Sequence, residues 1–119
     1  MPRSVEKWLV PLLVVLHAFI ALPLAFSLNV WVDEASTLYT TANGVTAAFG
    51  SLFTDEKQAP LYFLLLSLWR SIDHSIFFAR LFSVACSLLA IIAFSRLAGR
   101  IWDRRNALTL TALFAFHPF

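Results

Sequence analysis

The chain has 119 residues and a net charge of +2, with 60% hydrophobic and 13% charged residues, where soluble domains lie near about 45–50% apolar and about 25% charged. With a mean hydropathy of +0.77, that balance excludes an ordinary soluble globule and reads as an integral membrane chain with room for one small domain; the lipid bilayer is its first partner and no nucleic-acid partner is expected. The single cysteine, Cys86, lies in an apolar run and can form no disulfide within the chain.

Residues 8–28, WLVPLLVVLHAFIALPLAFSL, hold one ionisable group, His17. As a helix they would measure about 31 Å, matching a hydrocarbon core of about 30 Å, and they predict a first transmembrane helix. A cleaved signal peptide fits less well, because the run exceeds about 7–15 residues and no clean small-x-small site follows it. Arg3 and Lys7 precede the run, and Trp8 and Trp31 sit near its ends, so the N-terminus is expected in the cytoplasm. An ionisable group near the middle of a span is a functional suspect; the plainer reading of His17 is a neutral ring hydrogen-bonded within a helix bundle.

Residues 29–75 read as an outer loop, too long to be a mere connection. It opens on NVWVDEASTLYTTA, with the first acid pair, Asp33 and Glu34, just past the apolar run. Asp33 suits the N-cap of a helix starting near Ala35, with Glu34 favouring the same positive helix end. It also suits chemistry, because a carboxylate at the outer end of a transmembrane helix meets a lipid headgroup and a soluble substrate together. There it can serve as a general base toward a hydroxyl or hold a divalent cation. The two roles are compatible.

Leu38, Ala42, Val45, Phe49 and Leu52 recur at spacings of four and three, predicting an amphipathic helix over about 35–53 that lies on the bilayer. Gly44 and Gly50 weaken it by about 1 kcal/mol each. TDEKQAP ends the pattern, and Pro60 opens a second interfacial helix over 60–72, too short at about 20 Å to span. Asp73 and His74 read as a polar turn.

Residues 76–98, about 34 Å as a helix, predict the second transmembrane helix, with two arginines near its ends where they can snorkel. The following loop, 99–105, carries Arg100, Arg104 and Arg105 against Asp103. A single crossing at 76–98 puts this loop in the cytoplasm, as the positive-inside rule prefers; a further crossing at 60–72 would put it outside. Residues 106–119 begin a third helix, too short at about 21 Å to span alone. LTLTALFAFHPF stops inside an apolar stretch, so the chain reads as the N-terminal piece of a longer protein. The expected fold class is all-α and integral to a membrane: transmembrane helices joined by an outer loop with amphipathic juxtamembrane helices.

The parts in this order carry a resemblance. DEAST after the first helix, PLYFLLL at 60–66, ARLFS at 79–83 and AGRIWDRRNAL at 98–108 look like the start of the polytopic GT-C glycosyltransferases, the group that contains protein O-mannosyltransferases and aminoarabinose transferases. The resemblance runs from about residue 8 to the end. It implies an enzyme that transfers a sugar from a polyprenyl-phosphate carrier to a hydroxyl of a protein, lipid or glycan on the outer or lumenal face, usually with inversion at the anomeric carbon. A bacterial or archaeal cell membrane is the expected location, ahead of the endoplasmic reticulum. By the same resemblance Asp33 is the base or metal-anchoring carboxylate, with Glu34 beside it and a divalent cation as the cofactor to test.

A departing lipid phosphate needs cationic or amide donors. Members often carry a His or Lys directly before the proline of the short surface helix, where this chain has Ala59; Lys57 and Arg80 are the nearest substitutes, with Tyr62 as a further substrate contact. Against these roles, Lys57 reads as a solvated loop charge, Arg80 as a snorkelling side chain, and Tyr62 and Trp69 as interfacial anchors. No metal-ligand motif, glycine-rich phosphate loop or nucleophile motif is present. Two readings from other classes stand beside the enzyme: a transporter or channel fragment, hinted at by Pro11 and Pro23 in the first helix, and a small membrane interaction protein, which would need small-xxx-small spacing that residues 18–22 and 85–89 do not supply convincingly.

Overall fold

The structure is a computed structural model and describes residues 3–30, 32–51 and 60–117. Among these residues it is all-helical, with no strand: α1 (Arg3–Ser27), α2 (Val32–Thr40), α3 (Val45–Ser51), α4 (Pro60–Arg70), α5 (Ile76–Ile101) and α6 (Arg104–Phe116). The segment Trp8–Ser27 of α1 and the whole of α5 are long and apolar enough to cross a membrane. Their most apolar windows are only 6% and 11% buried, and Val15, Phe19, Phe26, Leu89 and Leu97 all stand exposed.

The helix boundaries differ from the sequence pattern at two places. The stripe expected as one helix over 35–53 is two helices, α2 and α3, separated by a turn at 41–43 and by Gly44, whose φ of 87° lies in the left-handed region that favours glycine. The period continues across the break because Leu38, Ala42 and Val45 keep their spacing while the backbone does not. At the other place, α5 extends through Gly99 and Arg100 to Ile101, so the basic loop shrinks to residues 102–103. Asp103 ends it by capping α6, accepting from the Asn106 N–H.

The chain divides into two compact units, residues 1–24 with 84–119, and residues 25–83. In the first, Ile91 and Ala98 of α5 and Ala107, Thr111 and Ala115 of α6 are buried. The α6 residues recur every fourth position, a stripe of small side chains that lets helices approach closely. Phe94 and Phe114 stack with ring centroids 4.5 Å apart, and Thr111 returns its hydroxyl hydrogen to the Ala107 carbonyl.

His17 belongs to this unit, and both of its ring nitrogens are engaged. Nδ1 lies 2.8 Å from the Ala115 carbonyl, which can only accept, so Nδ1 carries hydrogen. Nε2 lies 3.1 Å from the Ser87 hydroxyl. The histidine ties α1 to α5 and to the last turn of α6, as the plainer reading of this residue expects.

In the second unit, α3 packs on α4 and on α2. Phe63, Leu66, Ser67 and Arg70 form the buried face of α4, with Ala79 of α5 also buried. Trp69 stacks on Phe78 at 5.0 Å and donates its indole N–H to the Phe78 carbonyl at 2.9 Å. Asp73 and His74 lie in the turn before α5. Ser75 caps that helix by accepting from Phe78 N–H, and Asp73 accepts from Ser75 N–H at 2.7 Å. The backbone N–H of Ser75, with its hydroxyl second, holds the Asp73 carboxyl below the usual carboxylate range. The ionised cap is therefore complete above that range and is lost only as pH falls through the lowered value.

Candidate functional site

Within residues 25–83, α2, α4 and α5 enclose a cleft of about 260 Å³ lined by Asp33, Glu34, Thr37, Leu38, Tyr62, Leu66, Ala79, Arg80 and Ser83. Four residues singled out in the sequence thus meet in one place: Asp33, Glu34, Tyr62 and Arg80. Lys57 lies outside the described residues.

The two acids have different surroundings although they are neighbours. Both lie in the first turn of α2, so Asp33 stands one residue inside the helix and is not its cap; at that position both charges favour the positive helix end. Glu34 is held two-pronged by Arg80, with Nε donating to Oε1 at 2.6 Å and Nη2 to Oε2 at 2.8 Å. Asp33 is exposed, and its carboxylate has no hydrogen-bond or ion-pair partner among the described residues.

Arg80 does more than pair with Glu34. Its Nη1 donates to the Ala25 carbonyl at 2.9 Å and to the Leu28 carbonyl at 2.8 Å. The last turn of α1 contains no basic residue of its own, and its carbonyls are the unsatisfied negative end of a long helix. One guanidinium therefore joins the C-terminal end of α1 to the N-terminal end of α2. Four of its five N–H groups are used in these bonds, which leaves a single Nη2–H for any phosphate.

A second arginine acts in the same way and was not singled out from sequence. Arg70, at the end of α4, is buried. It donates through Nη1 to the Leu38 carbonyl at 2.6 Å and to the Thr41 hydroxyl at 2.7 Å, closing the C-terminal end of α2. Its Nε and the Ser67 hydroxyl oxygen find no partner among the described residues. Burial of a guanidinium in that state is costly, and the bonds to α2 are what offset it. Nothing in PLYFLLLSLWRSI separates Arg70 from an arginine that merely marks a helix end.

Tyr62 points its hydroxyl to within 3.3 Å of Ser83 Oγ and packs against Phe63 and Phe82, so it forms a wall of the cleft. Asp33 is the one carboxylate there not already held by a guanidinium. No group of three His, Cys, Asp or Glu residues suited to a metal occurs among the described residues. A single carboxylate falls short of the oxygen-rich shell that a hard divalent cation takes, so no step is routed through a metal.

Compared with family models, with curated proteins and with solved structures, the chain matches none.

Proposed function

We propose that this chain supplies helices and part of the outer-face active site of a membrane glycosyltransferase that uses a polyprenyl-phosphate sugar. The observation that carries the reading is the contrast between the adjacent acids: Glu34 clamped by Arg80 and Asp33 unclamped, both lining one cleft at the end of a bare apolar helix. Asp33 takes the proton of an acceptor hydroxyl as that oxygen attacks the anomeric carbon. The bond from that carbon to the carrier phosphate breaks, and the phosphate leaves with the electron pair. Glu34 takes no proton, because both its oxygens serve Arg80.

In this reading α1 and α5 span the bilayer, and α2 to α4 lie on its outer face near the headgroups. α1 runs through Pro11 and Pro23 without a break. Orientation is testable by single cysteines at Ser71 and Asn106 in a Cys86→Ala background. An impermeant maleimide should label position 71 in sealed cells and position 106 only after permeabilisation. Labelling of position 106 from outside overturns the topology.

Catalysis is tested on the intact protein in proteoliposomes supplied with a polyprenyl-phosphate sugar and a hydroxyl acceptor. Polyprenyl phosphate should be released in step with acceptor glycosylation. Absence of release across mannose, glucose and aminoarabinose donors refutes the transferase reading and leaves the transporter or channel fragment and the membrane interaction protein as the alternatives.

A further inference from the structure

α2 carries the proposed base, yet its own sequence holds it weakly. It has nine residues, VDEASTLYT, with Val32, Thr37 and Thr40 β-branched, and isolated helices shorter than about 12–15 residues are marginal in water. Where Asp33 stands is therefore decided by what the rest of the fold fastens to α2. Arg80 fastens its first turn through Glu34. Arg70 fastens its far end through the Leu38 carbonyl and the Thr41 hydroxyl.

From Arg70 a run of hydrogen bonds leads back to the acid. Thr41 Oγ1 accepts from Arg70 and donates to the Thr37 carbonyl at 2.8 Å, and Thr37 Oγ1 donates to the Asp33 carbonyl at 2.9 Å. Thr41 follows the last residue of α2 and keeps the helical bond from its N–H to the Thr37 carbonyl, at 3.1 Å. Residues 33, 37 and 41 are four apart and so share one helix face. Along that face Asp33 is exposed and Thr41 is only 1% exposed. Thr37 and Leu38 of α2 line the cleft, as do Tyr62 and Leu66 of α4, whose last residue is Arg70. The guanidinium thus ties the wall that bears Asp33 to the wall that bears Tyr62, from behind the cleft lining.

Closing a helix end at the surface needs no burial, and a cation there is worth about 0.3–1 kcal/mol. Arg70 is instead buried, with no carboxylate partner among the described residues. Burial commits the side chain to one geometry, because each N–H must find an acceptor or cost free energy; such a group specifies a register more than it stabilises. We propose that Arg70 is a positioning residue for Asp33: through Thr41 and Thr37 it sets α2 against α4, and with it the reach of the carboxylate to the acceptor hydroxyl. It touches neither substrate. The inference rests on the transferase reading above for the reaction it serves.

The test uses the intact protein in proteoliposomes with a polyprenyl-phosphate sugar and a hydroxyl acceptor. Arg70→Gln should lower kcat by about 10²-fold, the cost of a displacement of about 1 Å at a reacting group, and leave KM near its wild-type value. Thr41→Val removes the hydroxyl and keeps the side-chain shape, so it should move kcat the same way by a smaller factor; Thr41→Ser keeps the hydroxyl and should restore it. This pair decides the matter where Arg70→Gln does not fold. In an Asp33→Asn background, Thr41→Val should lower the residual kcat no further, because residues that act as one unit are not additive. Hydrogen exchange in Thr41→Val should quicken at the amides of residues 36 and 37, which bond back into the first turn of α2. Unchanged kcat in Thr41→Val overturns the proposal, since Arg70 then only closes a helix end. So does an equal fold loss in the Asp33→Asn background, which would mean general loosening, and so does faster exchange confined to residues 38–41. A wild-type protein that releases no polyprenyl phosphate ends the transferase reading, and exchange at residues 36 and 37 then decides alone whether Arg70 sets the Asp33 turn.

Discussion

Asp33→Asn in the intact protein should lower turnover by about 10²–10⁴, the contribution of a positioned general base, with the protein still folded and membrane-bound. The expectation follows from the geometry of α2. Asp33 is in the first turn and not at the cap, and its backbone carbonyl, which accepts from Thr37 Oγ1 at 2.9 Å, is unaffected by the substitution. What the fold loses is one negative charge near a helix N-terminus, worth about 0.3–1 kcal/mol, and that is far less than the catalytic loss. A purely structural Asp33 therefore predicts a small shift in thermal stability and near-normal turnover. A catalytic Asp33 predicts the reverse. Glu34→Gln separates the neighbours, since it weakens a salt bridge and should act mainly on stability, with turnover following only as the cleft loosens. Near wild-type turnover of Asp33→Asn with the sugar transfer otherwise intact would remove it as the base.

What was legible in the sequence is what local pattern encodes. The apolar runs at 8–28 and 76–98 correspond to α1 and α5 because a membrane-length helix announces itself through uninterrupted apolar residues, whatever its neighbours are. The break between α2 and α3 was not legible, because a hydrophobic stripe with four-and-three spacing persists across a turn; the left-handed Gly44 could have marked it, since glycine near the end of a periodic segment is a helix C-terminal signal. Asp103, three residues before Asn106, is likewise a readable cap, although it lies among arginines that mark the segment as a basic loop. The remaining gap is of another kind. Asp33 and Glu34 could be picked out by position, but Glu34–Arg80 and Arg70–Thr41 join residues far apart in the chain, and no spacing rule relates them. From sequence both arginines look like charges at helix ends, and only the fold gives them carbonyls and a carboxylate to hold.

Arg80→Gln should destabilise the protein by about 1.5–3 kcal/mol, the usual range for hydrogen bonds to a charged group, and this is the largest stability effect expected at the cleft. The side chain is 14% exposed and that of Glu34 is 25% exposed, so water replaces part of what the guanidinium provides. The substitution strips Glu34 of both guanidinium donors and leaves the Ala25 and Leu28 carbonyls without the cation that closes α1. Arg80→Lys should fall between, because an ammonium keeps the charge but cannot reproduce a planar fork across a carboxylate while reaching two carbonyls. The double variant Arg80→Gln, Glu34→Gln should be less destabilised than the sum of its singles by about 0.5–3 kcal/mol, the range found for directly interacting pairs. Thermal unfolding in detergent measures all four proteins. The alternatives give different patterns: an arginine that only snorkels to headgroups predicts little change in stability or turnover, and one that only binds the departing phosphate predicts lost turnover with stability retained. Additive effects in the double variant would show that the bidentate contact contributes nothing to folding, and the clamp that distinguishes Glu34 from Asp33 would fall with it.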